Sequence, residues 1–220
     1  MYGLYKRYWV ALATWADDCE VKREITVLAI PALIQLFLGG FFCLADSGWF
    51  PFMQRFKIQA KKKYPIDQDR LNDVIWVFIR NLIFALFLSP ILVQITKLRF
   101  ISFFHSNYWF FRGNVYDADV PPLSDFLIIW PMILVEDTWF YLTHRMLHTK
   151  LFYEKIHKFH HKWVQPTALS VFYMHPFEFI MAIVINIYIG YWVTACHTSI
   201  FHAYLLVESW KGLMNHRLPY

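Results

Sequence analysis

Five histidines fall within 18 residues of this 220-residue chain, in two clusters. His144 and His148 stand four apart, and His157, His160 and His161 follow at i, i+3 and i+4. On a helix, either spacing puts the imidazoles on one face, where they can converge on a metal ion. Thr149 to Ile156 separate the clusters, enough chain for a turn and a new helix start that opposes the two faces. A nitrogen-rich ligand set without cysteine suits a transition metal such as iron. Zinc needs only three or four protein ligands. Five or more histidines therefore argue for two metal ions, with positions left open for oxygen and substrate. A basic stretch beside a membrane uses Lys and Arg, and gains nothing from imidazoles at helical spacing. The three cysteines, Cys19, Cys43 and Cys196, are odd in number and widely spaced, which argues against a disulfide framework or a thiolate metal site.

Other groups admit two readings each. Glu136 and Asp137 lie in an apolar stretch two turns before His144, where a carboxylate is costly. One of them accepts a ligand imidazole N–H, or they pair with Arg80 or Arg145 or sit exposed at the membrane edge. His175-Pro176-Phe177-Glu178 is a polar island in which Pro176 and Glu178 fit the first turn of a helix. His175 is then a helix-entry residue or an additional ligand. His105, His197, His202 and His216 belong to no cluster, and their default reading is structural.

The elements that must carry these groups are apolar. Hydrophobic residues make up 58% of the chain and charged residues 17%, against about 45–50% and 25% in soluble domains. That balance excludes disorder and points to an all-α integral membrane bundle. Ile25 to Ala45 is free of charge and long enough to cross a hydrocarbon core. Val74 to Thr96 is interrupted only by Arg80, placed to snorkel. Phe126 to Thr143 is a third apolar stretch. Phe179 to Val207 is one long tilted helix or two shorter ones. The aromatic run Phe100 to Phe111 suits an interface. Residues 1–24 carry four acids and no cleavable apolar core, so the first apolar segment is expected to direct insertion. The net charge of +5 comes largely from stretches flanking apolar segments, which reads as positive-inside topology and not as nucleic-acid binding. The basic regions 46–73 and 144–165 are expected on one, cytosolic, side. The expected division is an N-terminal membrane region, 1–125, and a histidine-bearing region, 126–220, whose histidines form a cytosolic helical cap.

The segments VEDTWFYLTHRMLH, FYEKIHKFHHKW and YMHPFE resemble the fatty acid hydroxylase/sterol desaturase superfamily, with the closest likeness in its 4-methylsterol monooxygenase branch. The resemblance covers about Val135 to Glu178. It implies a membrane-bound oxygenase with two non-haem iron ions in the endoplasmic reticulum, its histidine clusters facing the cytosol. His144, His148, His157, His160 and His161 take the roles of iron ligands, and His175 occupies the His-Pro-x-acid position. The implied reaction is oxygen-dependent hydroxylation of a C–H bond on a sterol or other lipid. With no GxGxxG fingerprint in the chain, electrons are expected from a separate membrane donor, a cytochrome b-type protein or a reductase. The family's third histidine cluster has no counterpart after Glu208. A second expectation follows from that departure: a truncated, non-catalytic relative that pairs with or regulates a full-length oxygenase. A membrane zinc hydrolase is disfavoured without HExxH, and a haem bundle needs separated axial histidines instead of clusters.

Overall fold

A computed structural model of the chain describes residues 1–15, 20–46, 49–54, 68–97, 120–163, 170–194 and 196–217. Among them every regular element is helical. The elements are α1 (Tyr2–Trp15), α2 (Glu20–Asp46), α3 (Pro51–Gln54), α4 (Gln68–Lys97), α5 (Ile129–Leu147), α6 (Lys150–Tyr153), α7 (Pro176–Thr194) and α8 (Thr198–Arg217). A 3-10 turn at Leu123–Ile128 leads into α5. The basic stretch within 55–67, the aromatic run at 100–111, His105 and Cys19 lie outside the described residues.

The apolar segments become α2, α4, α5 and the pair α7–α8. Phe179 to Val207 is two helices because a cap intervenes. The His197 Nδ1 accepts the Ser199 N–H at 3.1 Å, and the His197 carbonyl accepts the Ile200 and Phe201 N–H groups. These bonds satisfy orphan donors that open a new helix. Two helices are long and apolar enough to cross a membrane, Leu123–Leu147 and Pro176–Thr194. Outward faces of α2, α4 and α5 are apolar too: Phe37, Phe87, Trp130 and Leu134 are all exposed.

One core joins the ends of the chain. Trp9 of α1, Met132 of α5 and Tyr204 of α8 are fully buried in it, beside Tyr188 and Phe201. Helix α1 is tied to α8 by polar contacts as well. The Tyr8 hydroxyl meets the His202 Nε2 at 2.8 Å, and the Tyr5 hydroxyl donates to the Ser199 carbonyl. His202 is thus a satisfied core histidine.

Helices α5 and α7 pack closely enough for Gly190 to matter. A Cβ at this position would sit 3.2 Å from the Met132 carbonyl oxygen, a backbone atom that cannot swing away. Gly190→Val is expected to cost about 1–3 kcal/mol by overpacking. Thermal unfolding in detergent micelles checks this, with Gly40→Ala, where a Cβ has nothing within 4 Å, as the neutral comparison. Nearby, α7 loosens into a π-helical stretch at Ile180–Val184. The Trp139 indole N–H donates to the Met181 carbonyl there at 2.9 Å, satisfying an acceptor on that stretch from the neighbouring helix.

Candidate metal centre

Four of the six candidate histidines meet at one point. The Nε2 atoms of His144 and His148 are 3.2 Å apart, those of His148 and His157 3.1 Å, and those of His157 and His161 3.0 Å. Ligand nitrogens of all four lie within 4.8 Å of one another. Nitrogens held about 2.1 Å from a single ion stand roughly 3.0–3.4 Å from their neighbours, so this donor set fits one metal ion.

Each side chain is placed by local structure. His144 lies in the last turn of α5 and His148 at its C-cap, four residues on and on the same face. The Phe140 ring stacks on His144 at 5.5 Å, and Tyr153 on His148 at 5.7 Å, so both imidazoles are held in plane by aromatic neighbours. Thr149 leaves the helix with an extended ψ of 154° and turns the chain into α6. The second cluster then arrives on a 3-10 turn, His157–Lys162, opposite the first.

That 3-10 geometry separates His160 from the others. An α-helix would put His157, His160 and His161 on one face. With three residues per turn, His160 eclipses His157 about 6 Å further along the axis. Its ring lies nearly parallel to that of His157, 6.0 Å away, and its Nδ1 is 3.1 Å from the Tyr173 carbonyl. His161 reaches back to the cluster instead. His175 stands apart as well: its Nδ1 accepts the Phe177 N–H at 3.2 Å, capping α7 in the helix-entry arrangement.

On sequence alone Glu136 and Asp137 are candidates for a supporting carboxylate, beside a pairing with Arg80 or Arg145 or exposure at the membrane edge. The structure puts Glu178 in the supporting position. Its Oε1 lies 2.7 Å from the His157 Nδ1, and both residues are only 1% exposed. An N–H donated from Nδ1 to this carboxylate leaves the Nε2 lone pair aimed into the cluster, the usual means of fixing a ligand tautomer. The available signal was the acid three residues into a helix that opens with Pro176, since a carboxylate in a first turn suits the helix dipole. Glu136 is too far along α5, eight residues or roughly 12 Å from His144. It turns to α8, where Lys211 donates to it at 3.1 Å, and to α7, where the Asn186 amide donates at 3.2 Å. Asp137 is 3.5 Å from the same Lys211 and exposed. Neither acid pairs with Arg80 or Arg145: Arg80 bonds to the Met174 carbonyl, and Arg145 to the Tyr141 hydroxyl.

Burial, and then the like-charged neighbour His148, pushes His157 down to about 4. His160 and His161 are lowered too, burial again being the largest cause. Folded values below the unfolded ones mean stability that is present above about pH 6.5 and lost as pH falls through the folded values. At neutral pH these imidazoles are uncharged, as a metal requires. His148 and His161 are exposed and His157 is buried, so the site is anchored on one side and open on the other.

Comparison with known proteins places the histidine-bearing region in a family. Residues 129–219 match the family model described as fatty acid hydroxylase. The fatty acid hydroxylase domain-containing protein 2 of Macaca fascicularis is 29% identical over 198 residues, covering 89% of this chain and 56% of the relative. The C-4 methylsterol oxidase of Candida albicans is 34% identical over 135 residues, 58% of this chain and 37% of the relative. Methylsterol monooxygenase 1 of Danio rerio is 28% identical over 169 residues, 76% and 49% of the two chains. The chain spans about half the length of these curated relatives. No solved structure matches it. All four converging histidines, and Glu178, fall inside the matched region, which is a fatty acid hydroxylase domain by family.

Proposed function

We propose that this member of the fatty acid hydroxylase superfamily is an oxygen-dependent hydroxylase of a lipid C–H bond, with a 4-methylsterol the favoured substrate class. The convergence of four Nε2 atoms at 3.0–3.2 Å spacings is the observation that carries the reading. Iron bound there would supply the redox chemistry by which dioxygen gives one oxygen atom to the lipid and one to water. His144, His148, His157 and His161 would hold one ion. The second ion of the proposed non-haem pair would draw on His160 and His175.

The chain's own residues have definable tasks. Glu178 holds the proton on the His157 Nδ1 and keeps the Nε2 free. Phe140 and Tyr153 fix the ring planes of His144 and His148 and keep water from their stacked faces. The apolar helices α5 and α7, which end and begin near the histidines, support a lipid approaching from within a membrane. Residues 126–220 would form the catalytic region and 1–125 its membrane support. The proposed setting is the endoplasmic reticulum membrane, crossed several times, with the histidines cytosolic. A separate membrane-bound cytochrome b-type protein or reductase would deliver electrons.

The test is elemental analysis of detergent-purified protein from iron-replete cells, with a His144→Ala/His157→Ala variant beside it. Iron is expected in the wild type, about two ions per chain for the pair, and should be lost from the variant. Purified protein given a chemical or enzymatic reductant should then oxygenate a 4-methylsterol in preference to a long-chain fatty acid, in air but not under argon. Wild type that binds no more iron than the variant would sink the reading in favour of a non-catalytic relative. Zinc in place of iron would point to hydrolysis.

A further inference from the structure

We infer that one face of α4, a helix outside the family-matched region, is a positioning element of the histidine centre, and that Asn81 is its principal positioning residue. The inference rests on the metal-site reading above and deepens it.

The second histidine cluster needs outside support. It sits on a 3-10 turn, whose own hydrogen bonds are poorly aligned. The strap that backs it, residues 170–174, is another short 3-10 turn running into irregular chain, held locally by the Tyr173 N–H on the Ser170 carbonyl and the Met174 N–H on the Phe172 carbonyl. Helix α4 ties the strap down from outside, with a second donor for the Phe172 carbonyl and donors for the Met174 carbonyl. Asn81, fully buried, donates through Nδ2 to the Phe172 carbonyl at 3.0 Å and the Met174 carbonyl at 3.2 Å. Arg80 donates to the same Met174 carbonyl at 2.7 Å and, through Nε and Nη2, to the Asn81 Oδ1. The guanidinium thereby fixes which end of the Asn81 amide faces the strap. Two turns earlier on the same helix, Asp73 accepts the Tyr173 hydroxyl at 2.5 Å. Residues 73, 77, 80 and 81 share one face at helical spacing, and Val74 and Val77 pack beside Tyr173 in a small core of their own.

From the strap the constraint passes to the histidines by two routes. The Phe159 ring lies flat on Tyr173, with centroids 4.4 Å apart and planes 4° from parallel, and Phe159 sits between His157 and His160 in sequence. The Tyr173 carbonyl meets the His160 Nδ1. Beyond Met174 the chain enters α7, and the third residue of that helix that can respond is Glu178, which holds His157. Moving the strap therefore moves both the platform under the turn and the carboxylate behind His157.

Cobalt(II), which gives a visible ligand-field spectrum at a histidine site, tests this on the whole detergent-solubilised chain. Affinity and spectrum would be measured for wild type, Asn81→Leu, Asp73→Ala, and Trp76→Leu on the exposed side of α4. Asn81→Leu is expected to weaken cobalt binding about 10–100-fold, the usual cost of losing support behind metal ligands, and to alter the spectrum, while Trp76→Leu leaves both unchanged. Asp73→Ala should shift the spectrum in the same sense to a smaller extent. Circular dichroism reports whether Asn81→Leu folds; if it does not, Asp73→Ala decides. Wild-type affinity and spectrum in every folded variant would overturn the role of α4. Wild type that binds cobalt no better than His144→Ala/His157→Ala would instead overturn the metal-site reading beneath it.

Discussion

Replacing Lys211 with methionine is expected to lower the melting temperature in detergent by about 5–10 °C, corresponding to roughly 2–3 kcal/mol for a chain of this size. Lys211 is the cation shared by three acids: it lies 2.9 Å from Glu208, 3.1 Å from Glu136 and 3.5 Å from Asp137. The Glu136 and Glu208 side chains are each only 9% exposed, while Lys211 is 33% exposed. Removing one partner of a fully buried ion pair costs about 3–5 kcal/mol, because a charge is left without compensation. Partial exposure of the lysine screens that loss, hence the smaller figure. Methionine keeps much of the apolar stem and removes only the charge. Adding Glu208→Gln should recover most of the stability, since Glu136 then keeps the Asn186 amide and loses its like-charged neighbour. A lone Lys211→Met variant that melts with the wild type would show that the acids are solvated and that the cluster does not tie α5 to α8.

The histidine clusters were legible because their spacing has one periodic meaning on either side of a turn. His144 and His148 kept that meaning, being at the end of a true α-helix. His160 did not, because tertiary packing wound the second cluster as a 3-10 turn, and no residue type in His157–Lys162 distinguishes the two windings. The helices were legible from apolar length. The break inside Phe179 to Val207 was not, because His197 caps with a ring nitrogen and histidine is not among the usual capping residues. Arg80 illustrates the harder limit. An arginine near the end of an apolar helix is expected to snorkel, yet its partner is a carbonyl 94 residues away. Long-range pairings such as Arg80 with Met174, or Glu136 with Lys211, leave no periodic trace in the chain.

Glu178→Ala is expected to weaken metal binding about 10–100-fold with little change in the positions of the other ligands. The carboxylate's hydrogen bond is to the far nitrogen of His157, 2.7 Å away, so the main effect passes through that imidazole. Without the acceptor, the His157 proton is free to move to Nε2, and the ring then presents an N–H where a lone pair is needed. Part of the imidazole's basicity toward a metal is lost as well. Glu178→Gln separates the two contributions. The amide oxygen can still accept from Nδ1 and hold the tautomer, but it brings no charge, so its affinity should fall between those of wild type and Glu178→Ala. Cobalt titration reads the affinities, and thermal unfolding of the metal-free proteins reports any loss of fold from altering a residue that is 1% exposed. Two folded variants that bind cobalt as tightly as wild type would mean that packing alone orients His157. The carboxylate would then be a helix-terminus acid with no part in the site.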